Sequence, residues 1–182
     1  MDAFEQLVAE LLWDEGHWVQ TSVKVRLTPE DKAAIERKSC PAWELDVVSY
    51  QGKTNTLFVL ECKSFLDSTG VTFKELQPGE GKSDGKYKLF CEAGLREVVF
   101  ARLARQSVEA GLCQEGVNVR LGIAVGKFKN GDEPKIRALF ESQGWTLYGP
   151  DWLRERLGRL SGRSYQNQVS SVVAKLLLRN QT

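Results

Sequence analysis

Histidine is almost absent from this chain: His17 is the only one in 182 residues. That excludes His-rich metal centres and leaves few routes to a Ser–His or Cys–His nucleophile, so any chemistry falls to carboxylates and lysines. The four cysteines, Cys40, Cys62, Cys91 and Cys113, lie far apart with no Cys-x-x-Cys pair. A zinc ribbon or disulfide framework is therefore not expected, whereas reduced thiols in a cytoplasmic compartment are. Long apolar runs are missing as well. None exceeds about five residues, against the ~20 that a membrane-spanning helix needs, and no segment resembles a signal peptide.

What is present describes a globular domain. With 42% apolar and 27% charged side chains over 182 residues, the chain is long enough to bury a core and has the size of one domain. No repeat or low-complexity linker divides it. A single domain over 1–182 is expected, with a core over about 1–150 and terminal helices over 150–180. The formal net charge of +1 hides an asymmetry. Residues 1–50 hold five Lys/Arg against ten Asp/Glu, whereas residues 151–182 hold six against two. An acidic cluster beside a basic surface suits a site that holds a divalent metal and approaches phosphate; a solvated helical surface gives the same counts.

Periodicity supplies the elements. Phe4, Leu7, Val8, Leu11 and Leu12 recur at helical spacing, which predicts a helix over about 3–15, capped by Asp2 and closed by Gly16. Strands follow at about 17–27, at Trp43–Tyr50 and at Thr56–Phe65, with a turn at 51–55 and a short helix opening at Thr28-Pro29 and running to Lys38. A polar, glycine-containing stretch covers about 66–88 and reads as loop. Helix is expected near 91–110 and at Lys135–Ser142, strand at Val117–Val125 and Trp145–Tyr148, and two last helices at about 150–160 and 166–179. That order predicts an α/β fold, a central mixed sheet flanked by helices on both faces.

Two short pieces of this pattern carry candidate chemistry. They are Glu44-Leu45-Asp46 on the second strand and Glu61-Cys62-Lys63 on the third. Side chains alternate across a strand, so Glu61 and Lys63 emerge on one face, after Leu57 and Val59, while Leu60 and Cys62 take the other. A turn near 52–54 sets Asp46 opposite residues 59–61. Two carboxylates would then lie within reach of one metal ion, with a lysine one step beyond. Hard cations such as Mg²⁺ take oxygen ligands, commonly one or two carboxylates completed by water and phosphate. Such an ion polarises a phosphodiester and acidifies its bound water, and an adjacent lysine orients that water or offsets charge growing on phosphorus. A pair of surface salt bridges at a strand end is the structural alternative for the same residues.

An aspartate, fourteen intervening residues and then Glu-x-Lys across a hairpin, following an acid-bearing helix, resembles the PD-(D/E)XK nuclease superfamily, whose fold is restriction-endonuclease-like. Phe4-Glu5-Gln6-Leu7-Val8 through Gly16-His17-Trp18-Val19 is similar to that superfamily's first helix and strand, and the element order resembles its core over about 1–150. The resemblance implies a Mg²⁺-dependent DNA endonuclease, with Mn²⁺ as a possible substitute. Asp46 would bridge metal, Glu61 would be the second ligand, Lys63 the catalytic lysine, and Glu5 the helix-borne acid, with Glu10 as the other choice. Leu45 stands where the motif has proline, a residue that touches no metal. Glu44 would be an outer ligand or a solvated residue at the strand start. DNA is the implied partner, a homodimer is possible, and neither a nucleotide cofactor nor a membrane is implied. A module of the same fold without turnover, and a Holliday-junction-resolvase-like nuclease for branched DNA, are the alternatives.

Other features weigh less. Gly81-Lys82-Ser83 lacks the glycine that a phosphate-binding P-loop needs five residues earlier, where Leu76 stands. Lys82, Lys86 and Lys88 read as a loop able to reach a phosphate backbone. Arg102, Arg105 and Gln106 share or adjoin one helix face, either positioning water and phosphate or simply solvated. Arg154, Arg156 and Arg159 offer a phosphate surface or a solvated helix face. His17 reads as a packed or solvated side chain rather than a ligand, Cys62 as a small core residue, and Trp18, Trp43 and Trp145 as core or interface rather than base-stacking platforms.

Overall fold

The computed structural model describes residues 2–36, 42–77, 86–164 and 167–178. Helix α1 (Ala3–Asp14) begins with a capping box: Asp2 accepts from the backbone of Phe4 and Glu5, and the Glu5 carboxylate accepts from Asp2 N at 3.1 Å. Phe4, Val8, Leu11 and Leu12 form its buried stripe, and Gly16, at φ +87°, turns the chain into strand β1 (Trp18–Val25). Thr28 and Asp31 close a second capping box on α2 (Pro29–Ala34). That helix stops before the expected Lys38, which lies outside the described residues.

Strands β2 (Trp43–Gln51) and β3 (Thr56–Lys63) are joined by a 3₁₀ turn over Gly52–Thr54, with Asn55 left-handed at φ +46°. β3 ends two residues before the expected Phe65, whose φ of +44° takes the chain off the sheet. Within the 66–88 stretch, the described residues 66–77 and 86–88 carry more structure than a polar loop. Val71 bridges to Phe128, and two short helices, α3 (Phe73–Leu76) and α4 (Lys88–Cys91), bury Leu76, Leu89 and Phe90. Apolar residues spaced among polar ones anchor it, and no amphipathic period announces them. The Gly81-Lys82-Ser83 tripeptide lies outside the described residues.

Helix α5 (Ala93–Glu109) leads to β4 (Asn118–Val125), then α6 (Glu133–Gln143), β5 (Thr146–Tyr148), α7 (Pro150–Gly162) and α8 (Val169–Leu178). The sheet has the order β1-β2-β3-β4-β5; its first three strands are antiparallel, and β3, β4 and β5 run parallel. The fold is thus α/β with a mixed five-stranded sheet between helices. On β3, Leu57 and Val59 join a cluster with α5 and α6, while Leu60 and Cys62 join one with α1, α7 and α8. β4 divides likewise, with Leu121, Ile123 and Val125 on the first face and Ala124 on the second. Among the described residues no helix is long and apolar enough to cross a membrane.

Candidate active site

Ladder pairing between β2 and β3 runs from Gln51↔Thr56 to Val47↔Leu60 and stops there, so the next pair in register would be Asp46 and Glu61. On the other side, β1 pairs Thr21 with Val47 and Val23 with Leu45, passing over Ser22 and Asp46. Ser22 has φ +52°, an uncommon conformation for a residue with a side chain. The distortion also breaks side-chain alternation: Leu45 packs with the α5 cluster and Val47 with the α1 cluster. Asp46 sits in this break, and its Oδ2 accepts from the backbone N–H of Cys62 at 2.8 Å.

Lys63 completes the group. Its Nζ lies 2.6 Å from Glu61 Oε1 and 3.9 Å from Asp46 Oδ2, and all three side chains are about a quarter exposed. Burial pushes the Glu61 carboxyl up, the Asp46 charge adds to this, and the Lys63 ammonium offsets only part of it. For Lys63, burial would lower the pKa, but the Glu61 and Asp46 carboxylates outweigh it and hold the amine protonated.

Glu5 acts at longer range. Its charge helps to raise Glu61, yet its carboxylate closes the capping box on Asp2. Glu10 accepts from Gln6 Nε2 at 3.2 Å and from Ser170 N at 3.3 Å, so its carboxylate ties α1 to α8. Glu44 is exposed across from Lys24. Among the described residues, no three His, Cys, Asp or Glu side chains form a metal-holding group. The donor set still fits a hard divalent cation held by two carboxylates, because Asp46 and Glu61 bring carboxylate oxygens to one point around Lys63 Nζ where the ladder ends.

The sequence reading missed two contributors. One is the Cys62 N–H that orients Asp46; a backbone donor leaves no trace in residue identity. The other is Tyr87, which is 3% exposed, left-handed at φ +58°, and has a hydroxyl without a hydrogen-bond partner among the described residues. Burial pushes its phenol up, and the charges of Glu75 and Glu61 add to this, so it stays a proton donor within electrostatic reach of Glu61.

Lysines surround this end of the sheet. Gly126 N, just past β4, donates to Lys63 O at 2.9 Å, and the exposed Lys127 and Lys129 follow directly. Lys74, also exposed, lies on α3 beside the Val71–Phe128 bridge. The helical arginines do other work. Arg102 pairs with Asp31 at 2.7 Å, and Gln106 bonds both Lys24 O and Arg26 N, so these two tie α5 to α2 and β1. Arg156 pairs with Glu15, Arg163 with Asp14, Arg154 with Asp151 and Arg159 with Glu155. The basic carboxy-terminal segment therefore neutralises α1 and itself.

A cavity of about 350 Å³ lies at the opposite end of β2, lined by Val48, Tyr50, Leu57 and Leu103 and bordered by Trp18. No carboxylate, lysine or arginine lines it. Trp18 is exposed rather than packed, whereas Trp145 packs edge-on against Phe90 and Phe140.

No protein-family model matches this chain, and comparison with curated proteins finds no match. Among solved structures, the crystal structure of AF1548, a protein of unknown function, aligns with a TM-score of 0.37 and 17% identity over 86% of this chain and 67% of that one. Likeness at that level assigns neither a fold family nor a function.

Proposed function

We propose that this chain is a divalent-metal-dependent DNA endonuclease of the restriction-endonuclease-like fold, a member of the PD-(D/E)XK superfamily. The observation that carries the reading is the meeting of Asp46, Glu61 and Lys63 where the β2–β3 ladder ends, with Lys63 Nζ 2.6 Å and 3.9 Å from the two carboxylates. The element order supports it: an acid-bearing helix, an antiparallel meander, a helix and a parallel strand beside β3. The distorted backbone at Ser22 supports it too, because strain of this kind collects where function needs it.

Asp46 and Glu61 would hold Mg²⁺, or Mn²⁺ in its place. When bound, the ion supplies Lewis acidity to the phosphodiester and acidifies a water. Asp46 is held by Cys62 N, so its carboxylate is oriented before substrate arrives. Lys63, kept as an ammonium, sets a positive charge where charge grows on the phosphoryl oxygens. Lys74, Lys127 and Lys129 would contact the phosphate backbone, which positions DNA without reading its sequence.

The test is incubation with plasmid, single-stranded and four-way-junction DNA, with Mg²⁺, Mn²⁺ or chelator, beside Asp46→Asn. Asparagine keeps an oxygen for Cys62 N–H and removes only the charge. Metal-dependent cutting that the variant lacks is expected, and the preferred substrate separates a general nuclease from a junction resolvase. Cutting unchanged in Asp46→Asn would overturn the site, and DNA binding without any cutting would favour a module that has lost turnover.

A further inference from the structure

We propose that α8 is the contact helix of a symmetric dimer, in which two copies of this chain pack their α8 helices antiparallel about a dyad at Val173. The inference stands apart from the nuclease reading. It rests on a helix docked inside out. Ser170, Ser171 and Ala174 are buried, and among the described residues the hydroxyls of Ser170 and Ser171 have no hydrogen-bond partner. Meanwhile Val169 (68% exposed), Val173 (44%), Leu176 (78%) and Leu177 (66%) face away from the chain. Half a turn of rotation would bury the leucines and hydrate the serines. Lys175 fixes the present setting instead, donating to Ser161 O at 3.2 Å and to Arg163 O, while Glu10 accepts from Ser170 N. Small residues against α7 allow close approach, and the large ones are left for something else.

The outward face says what that is. Within α8 the one charged side chain, Lys175, is tied to α7. The stripe therefore offers nothing to phosphate or to anionic headgroups, and it meets a copy of itself without like-charge repulsion. Val169, Val173 and Leu177 are spaced by four and form one row along a helix about 15 Å long. An antiparallel pair centred on Val173 sets Val169 against the partner's Leu177, the smaller side chain against the larger, and Leu176 flanks this row. Glu10, one turn before the exposed Trp13 on α1, accepts from Ser170 N at the start of α8. The α8 row offers roughly half of the ~800 Å² per partner of a standard interface. That area suits a reversible dimer with Kd on the order of micromolar.

Sedimentation velocity of the full chain from roughly 1 to 200 µM brackets such an affinity. The expected result is a shift from monomer to dimer with concentration. In the double variant Leu176→Glu, Leu177→Glu it should move at least about 100-fold upward, with an unchanged circular dichroism spectrum. Val173→Cys should give a disulfide-linked dimer on a non-reducing gel that the wild type does not. A wild type that stays monomeric throughout overturns the proposal, including the case where it sediments with phosphatidylserine vesicles. A dimer that ignores the double variant, or that Val173→Cys fails to cross-link, places the contact elsewhere and overturns it as well.

Discussion

His17 shows how a single buried side chain sets the terms of this fold. His17, 7% exposed, faces Ser49 Oγ through Nδ1 at 3.2 Å and the Gln51 amide through Nε2 at 3.4 Å. The amide nitrogen can only donate, which assigns the proton to Nδ1. Burial lowers the His17 pKa, with Glu15 opposing, and Arg156, Arg159 and Arg163 line the same cleft. The folded pKa thus lies below the ordinary ~6.5. Between the two values the unfolded chain binds a proton that the folded chain refuses. Stability is therefore full above ~6.5 and falls as pH drops below it, by at most about 1.4 kcal/mol per pH unit. Thermal unfolding of wild type and His17→Gln from about pH 7.5 to 5.5 checks this: the wild-type midpoint should fall more steeply. Parallel profiles would refute the assignment. The sequence left His17 either packed or solvated at the start of a strand; its partners Ser49 and Gln51 come from β2 and could not be read locally.

At the scale of elements, the end of β3 is held by its parallel neighbour. Gly126 N donates to Lys63 O, and a Cβ built on Gly126 would clash with Ser64 O. Gly126→Ala should push Lys63 away from Glu61, lower stability by about 1–3 kcal/mol, and depress cleavage. Gly158, inside α7, has open space around it, and Gly158→Ala should raise stability by roughly 0.8 kcal/mol. Denaturant unfolding of both variants checks the pair, and equal effects would refute the steric argument. Strand β3 itself was legible, because burial on both faces is written in Leu57 and Val59 on one side and Leu60 and Cys62 on the other. Its register was only bracketed, since residues 59–61 all satisfied the turn, and the ladder selects Glu61 as the next position in register with Asp46. The break at Ser22 was not legible, because nothing in serine demands a positive φ.

Over the whole molecule, the charge asymmetry that suggested metal and phosphate resolves differently. Glu15 and Asp14 of α1 meet Arg156 and Arg163 near the carboxy terminus, so much of the imbalance cancels internally. Among the described residues, the exposed Lys74, Lys127 and Lys129 lie on segments that adjoin the ends of β3 and β4, which composition could not single out. Replacing all three with alanine should weaken DNA binding. On duplex DNA it should also reduce the salt slope of log K by about 2.7, at ~0.9 per phosphate contact. An unchanged slope would mean that DNA lies elsewhere. The sequence period likewise marked α8 as a helix but not which side docks, because its serines and alanine could face solvent as readily as its leucines.

The most direct measurement compares the rates at which wild type and Lys63→Ala nick supercoiled plasmid in Mg²⁺, with both proteins verified as folded. Lys63 touches both carboxylates and is only partly buried, so its truncation leaves the sheet intact. The nuclease reading predicts a rate lower by about 100-fold or more, with plasmid affinity within a few-fold of wild type. Equal rates, or no metal-dependent nicking by the wild type on any DNA form, would contradict it.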